Sequence, residues 1–356
     1  MNTYLCHTAL FSVLLFLAAC TGGTEKNEEK QTEQVNAEPT ASLVDIQEWP
    51  VPWEDTRPRD PYVDQEGRTW FCGQKGNYIA YLEPGSGEFK RYELEEGTHP
   101  HNLIVDSEGY VWYAGNQNAH IGKLDPSNGE ITKFPMPDPE ARDPHTLVFS
   151  QEGNIWFTMQ MSNFIGHLNT KTGEVHLVEV PTSGARPYGI KLDRNDQPWI
   201  VLFGTNKLAT VDPNSFALTE IELPNADARP RRIEITPDGS IYYVDYSRGY
   251  LGQYIPTAQA FKEWPLPSGD DAAPYGTAMD EQGRIWLAES GVNPNRLVGF
   301  DPAEEEFFSI TEIPSGGGTI RHMYFHPATQ EIWFGTDTNN IGRASMTAHP
   351  DKQANL

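Results

Sequence analysis

The sequence predicts an all-β fold, a seven-bladed β-propeller with four strands per blade, and three observations predict it. An aromatic recurs at Trp70, Trp112, Trp156, Trp199, Tyr242, Trp286 and Trp333, at steps of 42, 44, 43, 43, 44 and 47 residues. A proline stands twelve residues before it at Pro58, Pro100, Pro144, Pro187, Pro230 and Pro274, with Arg321 in the seventh copy. Each copy breaks into short runs of strand character cut apart by Asp, Asn, Gly and Pro, and no segment keeps a helical period for two turns. A lone sheet of this size has apolar residues on both faces, so it needs copies of itself on either side. A period near 43 with four strands per copy is that of a propeller rather than a helical solenoid.

In chain order, residues 1–20 read as a lipoprotein signal peptide. The apolar run 11–19 has the length of a signal h-region and is too short to span a bilayer as a helix. It ends Leu17-Ala18-Ala19-Cys20, which resembles a bacterial lipobox and makes Cys20 the expected site of lipidation. Thr21 stands where similar lipoproteins kept in the inner membrane carry Asp, so the expected location is the cell envelope, anchored in the outer membrane. Residues 21–42 are polar and free of aromatics, a disordered tether with a reach of about 25 Å. Residues 43–346 form the propeller, and 347–356 are a polar C-terminal tail. Once Cys6 leaves with the signal and Cys20 carries lipid, Cys72 is the one remaining thiol, and no intramolecular disulfide forms.

Within the ring, 185–224 is the clearest repeat, with strands expected at 188–192, 199–203, 207–211 and 218–223. A glycine usually falls three residues before the aromatic, as at Gly153, where the turn between the first two strands needs positive φ. Fourth strands carry prolines, which suits a sheet edge. The last repeat lacks a fourth strand, while residues 46–52 read as a fourth strand without a repeat. The N-terminal strand is therefore expected to complete the last blade and close the ring, removing the open faces of an unclosed array. The aromatic column is expected to fill the core between blades.

The formal charge is −24, which speaks against a nucleic-acid partner and for an exposed, self-repelling, monomeric particle.

The first strand of a propeller blade is innermost, so residues around the repeated proline converge on the central channel. The position after it holds Arg59, His101, His145, Tyr188, Arg231, Tyr275 and His322. The position before it holds Arg57, His99, Asp143, Arg186, Arg229, Ala273 and Ile320. Of 15 arginines, eight fall in these segments: Arg57, Arg59, Arg142, Arg186, Arg229, Arg231, Arg232 and Arg321. Guanidinium forks suit carboxylate or phosphate, and His and Tyr at the same level supply a base, a metal ligand or a donor. Three residues after the aromatic, Asp245 and Glu289 are the carboxylates expected nearest the channel, Glu289 as a metal ligand and Asp245 with the substrate. Arg59, His99, Tyr188, Arg231, Arg232, Tyr275, Arg321 and His322 complete the expected substrate-binding set.

Repeats of the form Pro-His/Tyr-Gly-Ile-x-x-Asp-x-x-Gly-x-Ile-Trp-Phe-Thr followed by Ile-Gly-x-Leu-Asp-Pro-x-Thr-Gly, best matched at 144–173 and 100–129, resemble the virginiamycin B (streptogramin) lyase family. The resemblance covers all seven repeats. It implies opening of a cyclic depsipeptide by elimination at the ester, with a histidine base and Mg²⁺ held by carboxylate. That family's signature is Glu-Pro-His with Pro-His one blade earlier. Here Asp143-Pro144-His145 and His99-Pro100-His101 stand nearest. The resemblance thus implies His145 as base, Asp143 as the metal-side carboxylate and His101 as a catalytic contact to substrate. Two other readings stay open: a lactone hydrolase using channel carboxylates and Ca²⁺, and a non-catalytic envelope propeller that recognises an anionic ligand.

Overall fold

The computed structural model describes residues 44–346. The expected signal peptide, Cys20, the tether and the tail lie outside the described residues. Within them the chain forms seven separate four-stranded antiparallel sheets. Six are continuous in sequence, spanning 58–93, 100–135, 144–179, 187–222, 230–265 and 274–312. The seventh combines Met323–His326, Glu331–Gly335 and Asn340–Met346 with the N-terminal strand Val44–Pro50. That strand pairs antiparallel with Asn340–Met346, Val44 opposite Met346 and Pro50 opposite Asn340. The ring is closed as the sequence implies.

Burial follows strand position. The inner strand Pro100–Val105 is buried at every residue, whereas the outer strand Ile131–Pro135 has none buried. Outer-strand prolines such as Pro50, Pro135 and Pro265 sit at exposed strand ends, where no ladder hydrogen bond is lost. The aromatic column fills the spaces between neighbouring blades: Trp286 packs with Leu297, Ile332 and Phe334, and Trp156 with Ile190 and Ile200. Three of its indole N–H groups are satisfied locally, whereas that of Trp333 has no partner among the described residues. Trp70 and Trp112 donate to Asp64 and Asp106 at 2.7 Å, and Trp286 to Asp280 at 2.9 Å. Each acceptor is the aspartate of the turn that Gly67, Gly109 or Gly283 completes at positive φ. The aromatic and the turn residues of the repeat are thus one packing device.

The inner strands share an irregularity that makes the site. In blades two to six the register between the first two strands shifts immediately after the repeated proline, for example between Pro144 and Leu147 and between Pro187 and Ile190, and in blade one it shifts one residue later, between Arg59 and Tyr62. A bulge of this kind inserts a residue and re-aims side chains. Blade seven has no proline there, and its inner strand begins only at Met323.

Candidate functional site

The bulges bring together side chains from four blades in a closed network. Arg59 Nη1 lies 3.0 Å from His101 Nε2. The His101 and His145 rings stack with centroids 3.7 Å apart. His145 Nδ1 meets Thr146 Oγ1 at 2.8 Å, and Arg232 Nη1 donates to the same hydroxyl at 3.1 Å. Arg232 Nη2 approaches Asp60 Oδ2 at 3.7 Å, and Asp60 Oδ1 accepts from Arg59 Nε at 2.9 Å. Asn102 braces the network by donating to Asp60 at 2.9 Å while accepting from the Leu147 amide. Asp60 holds its place with a left-handed backbone, φ 51°, a conformation that costs energy in a non-glycine residue. All these side chains are buried.

A second layer adjoins the first. The Tyr188 ring lies 4.1 Å from the His145 ring, and its hydroxyl contacts that of Tyr275. Arg231 stacks on Tyr275, with its guanidinium carbon 3.5 Å from the ring centroid, and lies 4.2 Å from that of Tyr246. Gly189 follows Tyr188 because the next blade passes so close: a Cβ there would meet Arg231 O and Arg232 Cα at 3.0 Å. A cavity of about 260 Å³ runs along the inner strands, lined by Asn102, Thr146, Gly189, Arg232, Glu234 and His322.

The electrostatics are one-sided. Arg59, Arg231 and Arg232 gather here, and Asp60 is the carboxylate that meets two of them. Burial works against the Asp60 anion, yet Arg59, His322 and Arg232 hold its carboxyl well below the usual range. His101 is pushed far down by burial and then by Arg59; His145 is pushed down by burial and then by Arg232. His322 is pushed down to about 3 by removal from bulk water, with Asp60 opposing and Arg232 assisting. Tyr275 is raised to about 12 by burial and by Tyr188. Burial would raise Tyr188 too, but Arg231, Arg232 and Arg59 together draw it below its ordinary value. The imidazoles are therefore neutral in a net positive enclosure.

Hydrogen bonding distinguishes the two imidazoles. Arginine only donates, so Arg59 occupies the His101 Nε2 lone pair and places that ring's proton on Nδ1. His145 Nε2 has no hydrogen-bond partner. When His145 carries its proton on Nδ1, donated to Thr146 Oγ1, Nε2 offers a free lone pair.

Other expected residues stand elsewhere. Asp143 accepts from the Ser162 amide at 2.9 Å and contacts the Met161 amide, pinning a loop. Glu289 accepts from the Ser268 amide at 2.9 Å and contacts its hydroxyl. Asp245 accepts from the Arg229 amide and pairs with Arg248. Carboxylates expected at the channel thus hold loops between strands. Arg321 and Arg57 both pair with Asp337, Arg142 pairs with Glu140, and Arg229 donates to the Ala226 and Ala228 carbonyls. His99 and Arg186, like Arg57, take positive φ, and Arg186 is exposed. The position before the proline therefore serves the turn.

A divalent cation fits this donor set poorly. Asp143 and Glu289 are engaged with loop amides, and Asp60 is held by two guanidinium groups. Among the described residues no group of three or more His, Cys, Asp or Glu is placed to hold a metal ion. Asp60, Asn102 and Thr146 are the members of the network that the sequence did not single out. Their signal was a polar residue two places after the proline in blades one, two, three and five.

Ring closure and the channel network define a class: a seven-bladed propeller with an arginine- and histidine-lined central site. The chain belongs to the virginiamycin B lyase family, whose model matches residues 32–297. Among solved structures it is similar to a streptogramin B lyase, at 24% identity, covering 85% of this chain and 98% of that one, with a TM-score of 0.76. It is similar to virginiamycin B lyase from Staphylococcus aureus, at 23% identity, 85% and 99% coverage, and a TM-score of 0.76. A catalytically inactive form of the S. aureus enzyme with quinupristin matches at 23% identity, the same coverage and the same TM-score. At these identities the likeness to solved structures carries the fold. No curated protein matches the chain.

Proposed function

We propose that the protein is a carbon–oxygen lyase that opens a cyclic ester of the streptogramin B type, or a related carboxylate-bearing small molecule, by elimination. Family membership supports a lyase-like activity. The observation that carries the mechanism is the His101–His145 stack, where His145 alone keeps an unpartnered Nε2 beside two guanidinium groups. In this reading His145 Nε2 takes the proton from the carbon next to the ester-bearing carbon. The electron pair left behind forms the carbon–carbon double bond. The carbon–oxygen bond breaks, and its electrons leave on the acid's oxygen as carboxylate. Arg59 and Arg232 stabilise negative charge as it develops, the work of pre-set dipoles in a dry site.

Mass spectrometry after incubation with a streptogramin B depsipeptide tests the reading. Elimination opens the ring without changing the mass, whereas hydrolysis adds one water. His145→Ala is expected to abolish turnover while the fold persists; unchanged turnover rejects the assignment. The surplus of positive charge favours a second reading, a non-catalytic propeller that binds an anion, and an intact substrate that is bound but never opened would select it. We also propose an envelope location through lipid on Cys20, checked by loss of fatty-acid labelling in Cys20→Ser.

A further inference from the structure

We infer that the channel network is a binding site for one small oxyanion, gripped by Arg59 and Arg232, and that the group it takes in catalysis is the carboxylate released from the ester. The inference rests on the lyase reading for that last assignment only. Arg59 and Arg232 are each 3% exposed, and in both the Nη2 atom makes no hydrogen bond. Arg231 Nε is buried and unpartnered as well. Buried polar atoms are nearly always satisfied, and a cluster of orphaned donors marks a missing acceptor. The arrangement is deficient in negative charge, not only in hydrogen bonds. Asp60 offers one carboxylate to Arg59 and Arg232, while Arg231 rests on aromatic faces. Glu234, the buried carboxylate along the cavity, is paired with Lys191 at 3.0 Å and also accepts from Thr277. A buried cation left unbalanced is strongly unfavourable, and water supplies an acceptor without supplying the charge. An oxyanion supplies both. Asp60 already shows the geometry, one carboxylate spanning two forks, and arginine forks are suited to accept a second. The cavity of about 260 Å³ reaches Arg232, Thr146 and His322, which opens the Arg232 side of the network to a small molecule.

The test is an anion titration of the full chain at constant ionic strength, read by calorimetry and thermal unfolding, without any turnover. Inorganic phosphate is expected to bind at one site and raise Tm saturably, where chloride does not. Arg232→Gln and Arg59→Gln are each expected to weaken phosphate by at least about tenfold, the loss of one charge-assisted fork. Because either variant could misfold, Arg232→Lys is run beside them and is expected to keep the fold and the charge while losing part of the affinity. Arg194→Gln, on an exposed loop, is expected to bind as the unaltered protein does. Stabilisation that chloride reproduces, or that survives both glutamine substitutions, overturns the site. The source of the anion is read by competition: an N-acyl amino acid should displace phosphate and its amide should not. Displacement by neither compound overturns the carboxylate assignment. An inert substrate with intact phosphate binding sinks the lyase reading and leaves the site standing.

Discussion

The imidazoles of His101 and His145 stack with centroids 3.7 Å apart and planes inclined by 37°, beside Arg59 on one side and Arg232 on the other. Two rings so placed cannot both become cations. With His322 they all have pKa values depressed below the unfolded value near 6.5.

That depression sets a pH dependence. Between about pH 6.5 and the folded values the unfolded chain binds more protons than the folded one, so stability rises with pH through this interval. Asp60 acts in the same direction but only below its unfolded value near 3.8, so it does not contribute around pH 6. In phosphate-free buffer Tm is expected to fall as pH drops from 7 to 5, with a slope of up to about 1.4 kcal/mol per pH unit for each histidine. Arg59, Arg231, Arg232, Asp60 and Tyr188 face the pair. Melting curves of His101→Gln/His145→Gln should show a flatter profile, and an unaltered slope would contradict the neutral pair.

Thr146 positions His145 rather than touching substrate in the proposed reaction. Its hydroxyl is shared between His145 Nδ1 at 2.8 Å and Arg232 Nη1 at 3.1 Å. Thr146→Val keeps the shape and removes that acceptor, freeing the ring to change tautomer. The expected result is a kcat lower by about 10- to 100-fold, the usual cost of losing an orienting partner, with KM little changed. Thr146→Ser should restore most of it. A loss confined to KM, or no rescue by serine, would assign Thr146 to packing instead.

Blade number, ring closure and the convergence of Arg59, His101, His145, Tyr188, Arg231, Arg232 and Tyr275 were all legible, because a strict repeat maps sequence position onto radial position. Asp60, Asn102 and Thr146 were not. Strand alternation would point the residue after each of His101 and His145 to the other face, but the bulge after the proline breaks that alternation. Arg57 and Arg186 misled for a related reason: the place before the proline adopts positive φ, and the side chains leave the network. Asp143 and Glu289 look like metal ligands in a sequence because nothing there shows that loop amides claim their oxygens.

Metal dependence follows from those same loop contacts. Asp143 would have to release the Ser162 amide to ligate a cation near His145. EDTA is therefore expected to leave Tm unchanged, and Mg²⁺ or Ca²⁺ to add no saturable stabilisation beyond that of a matched monovalent salt. A saturable rise with Mg²⁺ that Asp143→Ala removes would reinstate the carboxylate as a ligand and displace the guanidinium groups from their proposed role.

The closing strand makes the most stringent demand on the fold. Val44–Pro50 pairs along its whole length with Asn340–Met346, and Trp49 stacks on Trp333 with centroids 5.6 Å apart and an 18° interplanar angle. Arg343 lies over both rings, 5.3 Å from Trp49 and 5.7 Å from Trp333. Val44 reaches further, into the cluster of Leu297, Ile313 and Ile332 that joins blades six and seven. One strand thus completes its own sheet and packs against the neighbouring blade. Trp49 is half-buried, so Trp49→Ala is expected to cost about 2 kcal/mol, below the range for a fully buried tryptophan. Urea melts should show the midpoint lowered and the slope unchanged, as for one cooperative unit. Removal of 44–50 leaves Asn340–Met346 an open edge with Ile341 and Ala344 uncovered, and the chain should then fail to fold or self-associate. If Trp49→Ala instead splits the melt into two phases, blade seven unfolds on its own, and the ring does not hold its channel residues as a single rigid set.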